Sequence, residues 1–381
     1  MNSKYKIYLA IGIVLLAVIV MFAIYIGKQE ASPQTGEILE AETESITEKI
    51  TEKVYVAMGG GKEGFIKDEE VKAIMAEKYN IELIADSWSN NRLIADKVKL
   101  VREDGTPYDA VFFSDQRFYD YFKVHNLAKN LEGSIALNTP VVIYSWDQVA
   151  EALINEGIVE VREGTYFIKD MKGLLTMIQE GRKWSDIGLT NVFGAINIAS
   201  TDPVTSSPGA TYYGLLLSIL NEGTVTENTV HLALPALKEF YEFSGFMNNT
   251  PADLFDLYLR TGMGAKPLIV DYEKSMLEFA VNNPEGYKQV RDRVRILYPE
   301  PTIWNSHCLL TLTEQGNRYL QALNDPAIKK IAWEQYGFRT GFMGGDSLGE
   351  LPVDGVAAEL TSIVPGLKKE IYDMMIDTLK E

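Results

Sequence analysis

Apolar positions along this chain change their spacing three times. From Ile7 to Ile26 they form an almost unbroken run. At 1.5 Å of rise per residue, about 20 residues cross a hydrocarbon core of roughly 30 Å. Lys4, Lys6 and the amino terminus precede the run, and Glu30 and Glu37 follow Lys28. The positive-inside bias places the N-terminus in the cytoplasm and the remainder outside. Residues 1–28 therefore read as a transmembrane signal anchor. A cleaved signal peptide is the rival reading, although Tyr25-Ile26-Gly27 makes a poor cut site and no cysteine lies near for a lipid anchor. Residues 29–53 are rich in Glu, Thr and Ser with no aromatic residue until Tyr55, and read as an acidic flexible tether. Together these segments predict a single-pass cell-membrane protein with its soluble part on the extracytoplasmic side.

Beyond the tether, short apolar runs alternate with amphipathic stretches. Val54–Met58, Ile81–Ala85, Asp109–Phe113 and Pro140–Tyr144 have strand spacing. Helical spacing follows at Asp68–Tyr79, Ile94–Val101, around Phe118–Phe122 and after Asp147. The middle repeats the theme, with helices at Met171–Glu180, Ala210–Leu220 and Leu232–Phe246. Strands are expected at Gly194–Ala199, Pro267–Val270, Val294–Tyr298 and Cys308–Leu312. This order predicts an α/β sheet covered by helices on both faces, with ligands collecting at loops that leave the carboxyl ends of strands.

Composition narrows the chemistry. The chain has 381 residues, enough for two lobes, and 46% are hydrophobic, enough for a real core. A net charge of -17 sets nucleic acid aside as a partner, because such binding needs a basic face. With Cys308 as its one cysteine, the chain can form neither an internal disulfide nor a multi-cysteine zinc site. There are 3 histidines, and the chain has no G-x-S-x-G elbow and no H-E-x-x-H pair. Nothing in it asks for a metal, a cofactor or a catalytic role.

Several segments, taken in order, resemble an extracellular (periplasmic) solute-binding protein of the type II fold, of the kind that serves sulfate, molybdate and iron ABC transporters. The strand and glycine turn at Val54–Lys62 come first, then the strand ending in Phe113-Ser114. Next are Pro140–Trp146, the Ser200–Gly209 turn, Leu268–Glu273, Leu297–Thr302 with Ser306-His307, and Ile331–Arg339. The resemblance implies a two-lobed periplasmic-binding-protein-like fold with two hinge crossings. Lobe one would comprise residues 54–144 plus 306–381, and lobe two residues 145–305. It implies a small-molecule ligand trapped by lobe closure and an ABC-type permease as membrane partner. An oxyanion or small organic acid is the expected ligand. A sensor or envelope-assembly module on the same fold is the alternative, and an envelope hydrolase a distant third.

Candidate ligand residues follow from this frame. Gly60, Gly61 and Lys62 sit in a strand-to-helix turn whose amides can approach an anion, or simply make a tight turn. Ser114 leaves a buried strand and either caps a helix or donates to ligand. Ser145 and Trp146 stand at the first crossing, where Trp146 walls a cleft or fills a core. Thr201, Thr205, Ser206 and Ser207 gather hydroxyls before a helix, as a turn cluster or an oxyanion cradle. Tyr272 ends a strand as a possible cleft donor. Lys62, Arg92, Arg117 and Arg339 are the cations to check for anion neutralisation, and His307 reads more readily as a satisfied buried histidine than as a ligand.

Overall fold

The computed structural model describes residues 51–95, 99–125, 131–245, 247, 250–340 and 352–381. The Ile7–Ile26 run and nearly all of the tether lie outside these residues. Among the described residues no helix is long and apolar enough to cross a membrane.

Ten strands form one connected sheet. They are β1 (Glu52–Met58), β2 (Ile81–Ser87), β3 (Ala110–Phe113), β4 (Gly133–Trp146), β5 (Val159–Arg162), β6 (Thr165–Ile168), β7 (Leu268–Tyr272), β8 (Val294–Pro299), β9 (Thr302–Thr311) and β10 (Ile363–Val364). The main path runs β2-β1-β3-β9-β4-β8-β6-β5, with β10 beside β9 and β7 beside β4. The α/β expectation holds, and the sheet is mixed: β2, β1 and β3 run parallel, while β9 is antiparallel to both β3 and β4.

Two long strands tie the halves of the sheet together. Residues 133–140 of β4 pair with β9, whereas 141–146 pair with β7 and β8. Pro140 stands at the change of partners, where a residue without an N–H disturbs the ladder least. The expected strand at Pro140–Tyr144 is thus the second part of a longer one.

Side chains alternate across the first half as a period of two requires. Val54, Val56, Met58, Ala110, Phe112 and Leu309 enter one core. Ala57, Val111, Phe113, Cys308 and Leu310 enter another, on the opposite face. A larger core fills the second half, built on residues 141–146 of β4 and on β7 and β8. The C-terminal helix Lys369–Lys380 adds Ile371, Met375 and Leu379 to that larger core.

Three local expectations change. Residues 194–199 make isolated bridges, Ala195 to Lys183 and Ala199 to Ile269, in place of a strand. Of the helix expected at Ile94–Val101, residues 96–98 lie outside the described residues; a short helix precedes it at Asn90–Leu93, where Ser89 Oγ accepts from Arg92 N. The β5–β6 hairpin was not expected from the sequence. Its two-residue turn places Glu163 at φ 50° and Gly164 at φ 82°, a left-handed pair that the dipeptide Glu-Gly does not advertise as Asn-Gly does.

Candidate functional site

A cleft of about 790 Å³ opens between the halves, walled by the β1 turn and the loop after β3 on one side and by the second half on the other. β9 forms its floor. Alternation along β9 turns Asn305 and His307 into the cleft, while Trp304 and Ser306 face a separate cavity of about 480 Å³ on the opposite side. Ser306 Oγ donates to Asn138 Oδ1 at 2.6 Å, so Ser306 and His307, adjacent in sequence, do not pair.

Gly60 and Gly61 line the cleft, as the sequence suggests. The turn must hold glycine at position 59. A Cβ there would lie 2.7 Å from both Ser114 Oγ and Asn90 Oδ1, so the β1 turn packs directly on the β3 loop. Lys62 turns the other way. It is buried, its Nζ donates to Gly59 O at 2.7 Å, and it lies 4.5 Å from the Phe112 ring centroid. Burial brings its pKa down to about 7, against the raising influence of Glu63 and Cys308. Lys62 braces the glycine turn from beneath and adds no cation to the cleft wall.

Ser114 lines the cleft. Its Oγ accepts from Asn90 Nδ2 at 2.8 Å and its N–H donates to Asn90 Oδ1 at 3.2 Å. That pairing fixes the serine and leaves its hydroxyl proton for another acceptor. The neighbouring Asp115 points elsewhere. Its carboxylate receives both Nε and a terminal nitrogen of Arg117 in a buried pair, so neither residue meets the cleft.

The hydroxyl-rich loop delivers three of its four candidates. Thr205, Ser206 and Ser207 line the cleft at the start of the helix Ser207–Leu220. Asp202 closes the turn, its carbonyl accepting from Thr205 N and Ser206 N and its Oδ1 from Val204 N. Only glycine fits at 209, because a Cβ would lie 2.2 Å from Thr201 O. Thr201 itself is buried behind the loop, outside the cleft lining. Ser206 Oγ is buried without a protein hydrogen-bond partner.

Tyr272 also lines the cleft, with its hydroxyl 3.2 Å from Thr211 Oγ1 and 3.5 Å from Ser207 Oγ. Ser145 and Trp146 do not. Both are buried in the second half, where Ser145 Oγ donates to Trp146 O and Trp146 Nε1 donates to Lys266 O at 2.9 Å. The Trp146 ring packs 4.7 Å from that of Tyr258, a core role.

Residues outside the sequence candidates complete the wall, together with His307, which was expected to be a satisfied buried histidine and instead lines the cleft with Nδ1 unpartnered. Asp271, Lys274 and Glu278 surround its second side, with Phe255 and Phe279 as apolar surface. Lys274 Nζ donates to Glu278 Oε2 at 2.7 Å. Asp271 Oδ1 accepts from Tyr272 N at 2.7 Å, and its Oδ2 has no protein donor. Burial pushes this carboxyl up to about 6, partly offset by the Tyr272 N–H, the Ser275 hydroxyl and Lys274. His307 is 2% exposed, and its Nε2 lies 3.1 Å from Asn305 Nδ2. Burial, with Lys62 and Lys274 nearby, lowers its pKa well below the usual histidine value, so the ring is neutral. Asn305 Oδ1 and His307 Nδ1 also lack protein partners. A two-residue spacing along a strand was the available signal for Asn305 and His307; Phe255 and Phe279 offered none.

Among the described residues no arginine lines this cleft. The Arg92 guanidinium stacks 3.5 Å from the Trp88 ring centroid. Arg339 binds Glu273 through two hydrogen bonds. Among the described residues no group of three His, Cys, Asp or Glu side chains is placed to hold a metal ion.

No family model matches the chain, and no curated protein sequence matches it. Solved structures do. An extracellular solute-binding protein from Bordetella parapertussis superposes with a TM-score of 0.57 at 13% identity, over 86% of this chain and 96% of that one. An ABC transporter structure from Clostridium perfringens ATCC 13124 gives 0.54 at 12% identity, over 86% and 98%. A periplasmic thiamin binding protein gives 0.53 at 10% identity, over 92% and 98%. The chain therefore has the fold of the type II periplasmic binding proteins, as the ordered motifs led one to expect.

Proposed function

We propose that this protein is an extracytoplasmic solute-binding protein that takes one small organic ligand into the cleft between its halves. The observation that carries the reading is that Ser206, Asp271, Asn305 and His307 all line one cavity and each holds a buried side-chain atom without a protein partner: Ser206 Oγ, Asp271 Oδ2, Asn305 Oδ1 and His307 Nδ1. A buried polar atom left unpaired costs about 1–3 kcal/mol. Four such atoms around one cleft are what a binding site requires and a packed core avoids.

The lining favours an organic solute over the expected oxyanion. Among the described lining residues Asp271 and Glu278 stand with Lys274 as the cation, and Phe255, Phe279, Pro208 and Pro251 supply apolar surface. A small inorganic dianion would find the hydroxyls of Ser114, Thr205, Ser206 and Ser207, but also two carboxylates and two aromatic rings that it cannot use.

In this reading residues 54–144 with 306–381 and residues 145–305 act as the two lobes, and contacts made only in the closed form drive closure. The Ile7–Ile26 run tethers the receptor to the membrane, where an ABC-type permease receives the solute. No catalytic step is part of the proposal.

A thermal-shift screen tests it, with oxyanions, amino acids, amines, small carboxylates, sugars and metal salts. A ligand at about 100 times its Kd stabilises by roughly 2.7 kcal/mol, an easily seen shift. Absence of any stabilising compound across that panel would count against solute binding.

A further inference from the structure

We infer that the ligand is a small organic cation, an amine whose positive end is held by Asp271 and whose apolar body lies against Phe255 and Phe279. This deepens the solute-binding reading and rests on it.

Asp271 is 2% exposed and Asn305 4%. Asp271 Oδ2 and Asn305 Oδ1 are both acceptors, and neither receives a protein hydrogen bond. The Asn305 amide nitrogen is already directed at His307 Nε2, 3.1 Å away. These two acceptors call for N–H or O–H groups on the ligand, while the Ser114 and Ser206 hydroxyls and His307 Nδ1–H can donate to an acceptor elsewhere on it.

Charge selects among such ligands. The nearest cation, Lys274, already holds Glu278 at 2.7 Å. Asp271 thus feels Lys274 without forming an ion pair with it, and among the described residues no arginine lines the cleft. Burial raises its pKa to about 6 against the Tyr272 N–H, the Ser275 hydroxyl and Lys274, so its charged form bears a solvation cost. An incoming ammonium restores the missing partner, whereas a carboxylate or phosphate meets repulsion from Asp271. The two aromatic rings then cover the body of the ligand.

Three probes with one shared body separate these terms: tyramine (cation), 4-(2-hydroxyethyl)phenol (neutral) and 4-hydroxyphenylacetate (anion). Binding is measured by calorimetry on the full 381-residue chain, purified in a mild detergent. Tyramine is expected to bind at least about 10-fold tighter than the neutral analogue, with the anion weakest. D271N is expected to remove that preference, its folding verified by circular dichroism. Equal or tighter binding of the anion or the neutral compound to the wild-type chain overturns the inference without needing any variant. A non-cationic ligand from the broad screen, with all three probes inactive, also overturns it and leaves solute binding standing. No ligand of any class would overturn both.

Discussion

Arg339 holds Glu273 in a two-pronged pair, Nε to Oε2 and a terminal nitrogen to Oε1, each at 2.7 Å, with neither side chain more than 1% exposed. Tyr298 OH also donates to Glu273 Oε1 at 2.6 Å, and Arg339 donates to Ala357 O at 2.6 Å. Arg339 follows Phe338 of one first-half core and bridges Asn138 of β4, while Glu273 opens the helix that carries Met276 and Leu277 into the larger core. The pair therefore fastens the two halves together beside the cleft.

Breaking that pair leaves an uncompensated buried charge. Glu273→Gln or Arg339→Met is expected to destabilise the protein by about 3–5 kcal/mol. Urea unfolding of the wild type and each variant reads this directly. A loss under about 1 kcal/mol would show that the pair contributes little more than a surface bridge.

Ser114→Ala and Ser206→Ala should weaken binding of any ligand found in the screen and leave the fold intact. Each removes one hydroxyl at the cleft, worth about 0.5–1.5 kcal/mol, or roughly 2- to 12-fold in affinity. Calorimetry with the identified ligand, alongside the melting temperature, separates the two effects. Unchanged affinity in both variants would move the site elsewhere.

Asp271→Asn should raise stability at pH 7.5 even as it lowers amine affinity. The carboxyl titrates near 3.9 in an unfolded chain and at about 6 in the folded one. Between those values the folded state keeps a proton that the unfolded state releases, so stability falls as pH rises through this window and the full penalty applies above it. The charged and titratable groups around Asp271 are Lys274, Glu278 and the buried Tyr144. Removing the charge is expected to recover on the order of 2–3 kcal/mol. Urea unfolding at pH 4 and 7.5 checks it, since the gain should be small at the lower pH. A variant less stable than wild type at pH 7.5 would show that the carboxylate is paired in the fold.

Gly209→Ala should damage the site from a distance. The added methyl would meet Thr201 O at 2.2 Å, a backbone atom that cannot rotate away, so the start of the helix Ser207–Leu220 must shift and take Ser206 and Ser207 with it. Both stability and ligand affinity are expected to fall, the latter beyond the effect of Ser206→Ala alone. Wild-type affinity in this variant would mean that the position of the helix start does not matter for binding.

Much was legible in the pattern of residues. Period-two runs such as Val54–Met58 and helical runs such as Ala210–Leu220 report their own structure, because alternation and the helical repeat follow from local backbone geometry. Glycine and hydroxyl turns at the ends of such elements marked Gly60, Gly61, Ser114, Thr205, Ser206, Ser207 and Tyr272, all of which line the cleft. Local spacing could not say which way Lys62 or Trp146 would turn. An apolar environment captured the lysine stem and the indole, and those environments are assembled from Phe112 and Tyr258, distant in sequence.

The sequence by itself determined the α/β order, the acidic charge, the absence of a cysteine framework and the positions of the turns, since each of these depends on composition or on neighbours a few residues apart. Tertiary structure alone decided the character of the cleft. Asp271 comes from β7 and Asn305 and His307 from β9, with β4 between them, and Phe255 and Phe279 lie on separate helices. Only long-range strand pairing brings the unpartnered atoms of Asp271, Asn305 and His307 to residues of one cleft, because the cost of an unpaired polar group arises from burial and not from order along the chain.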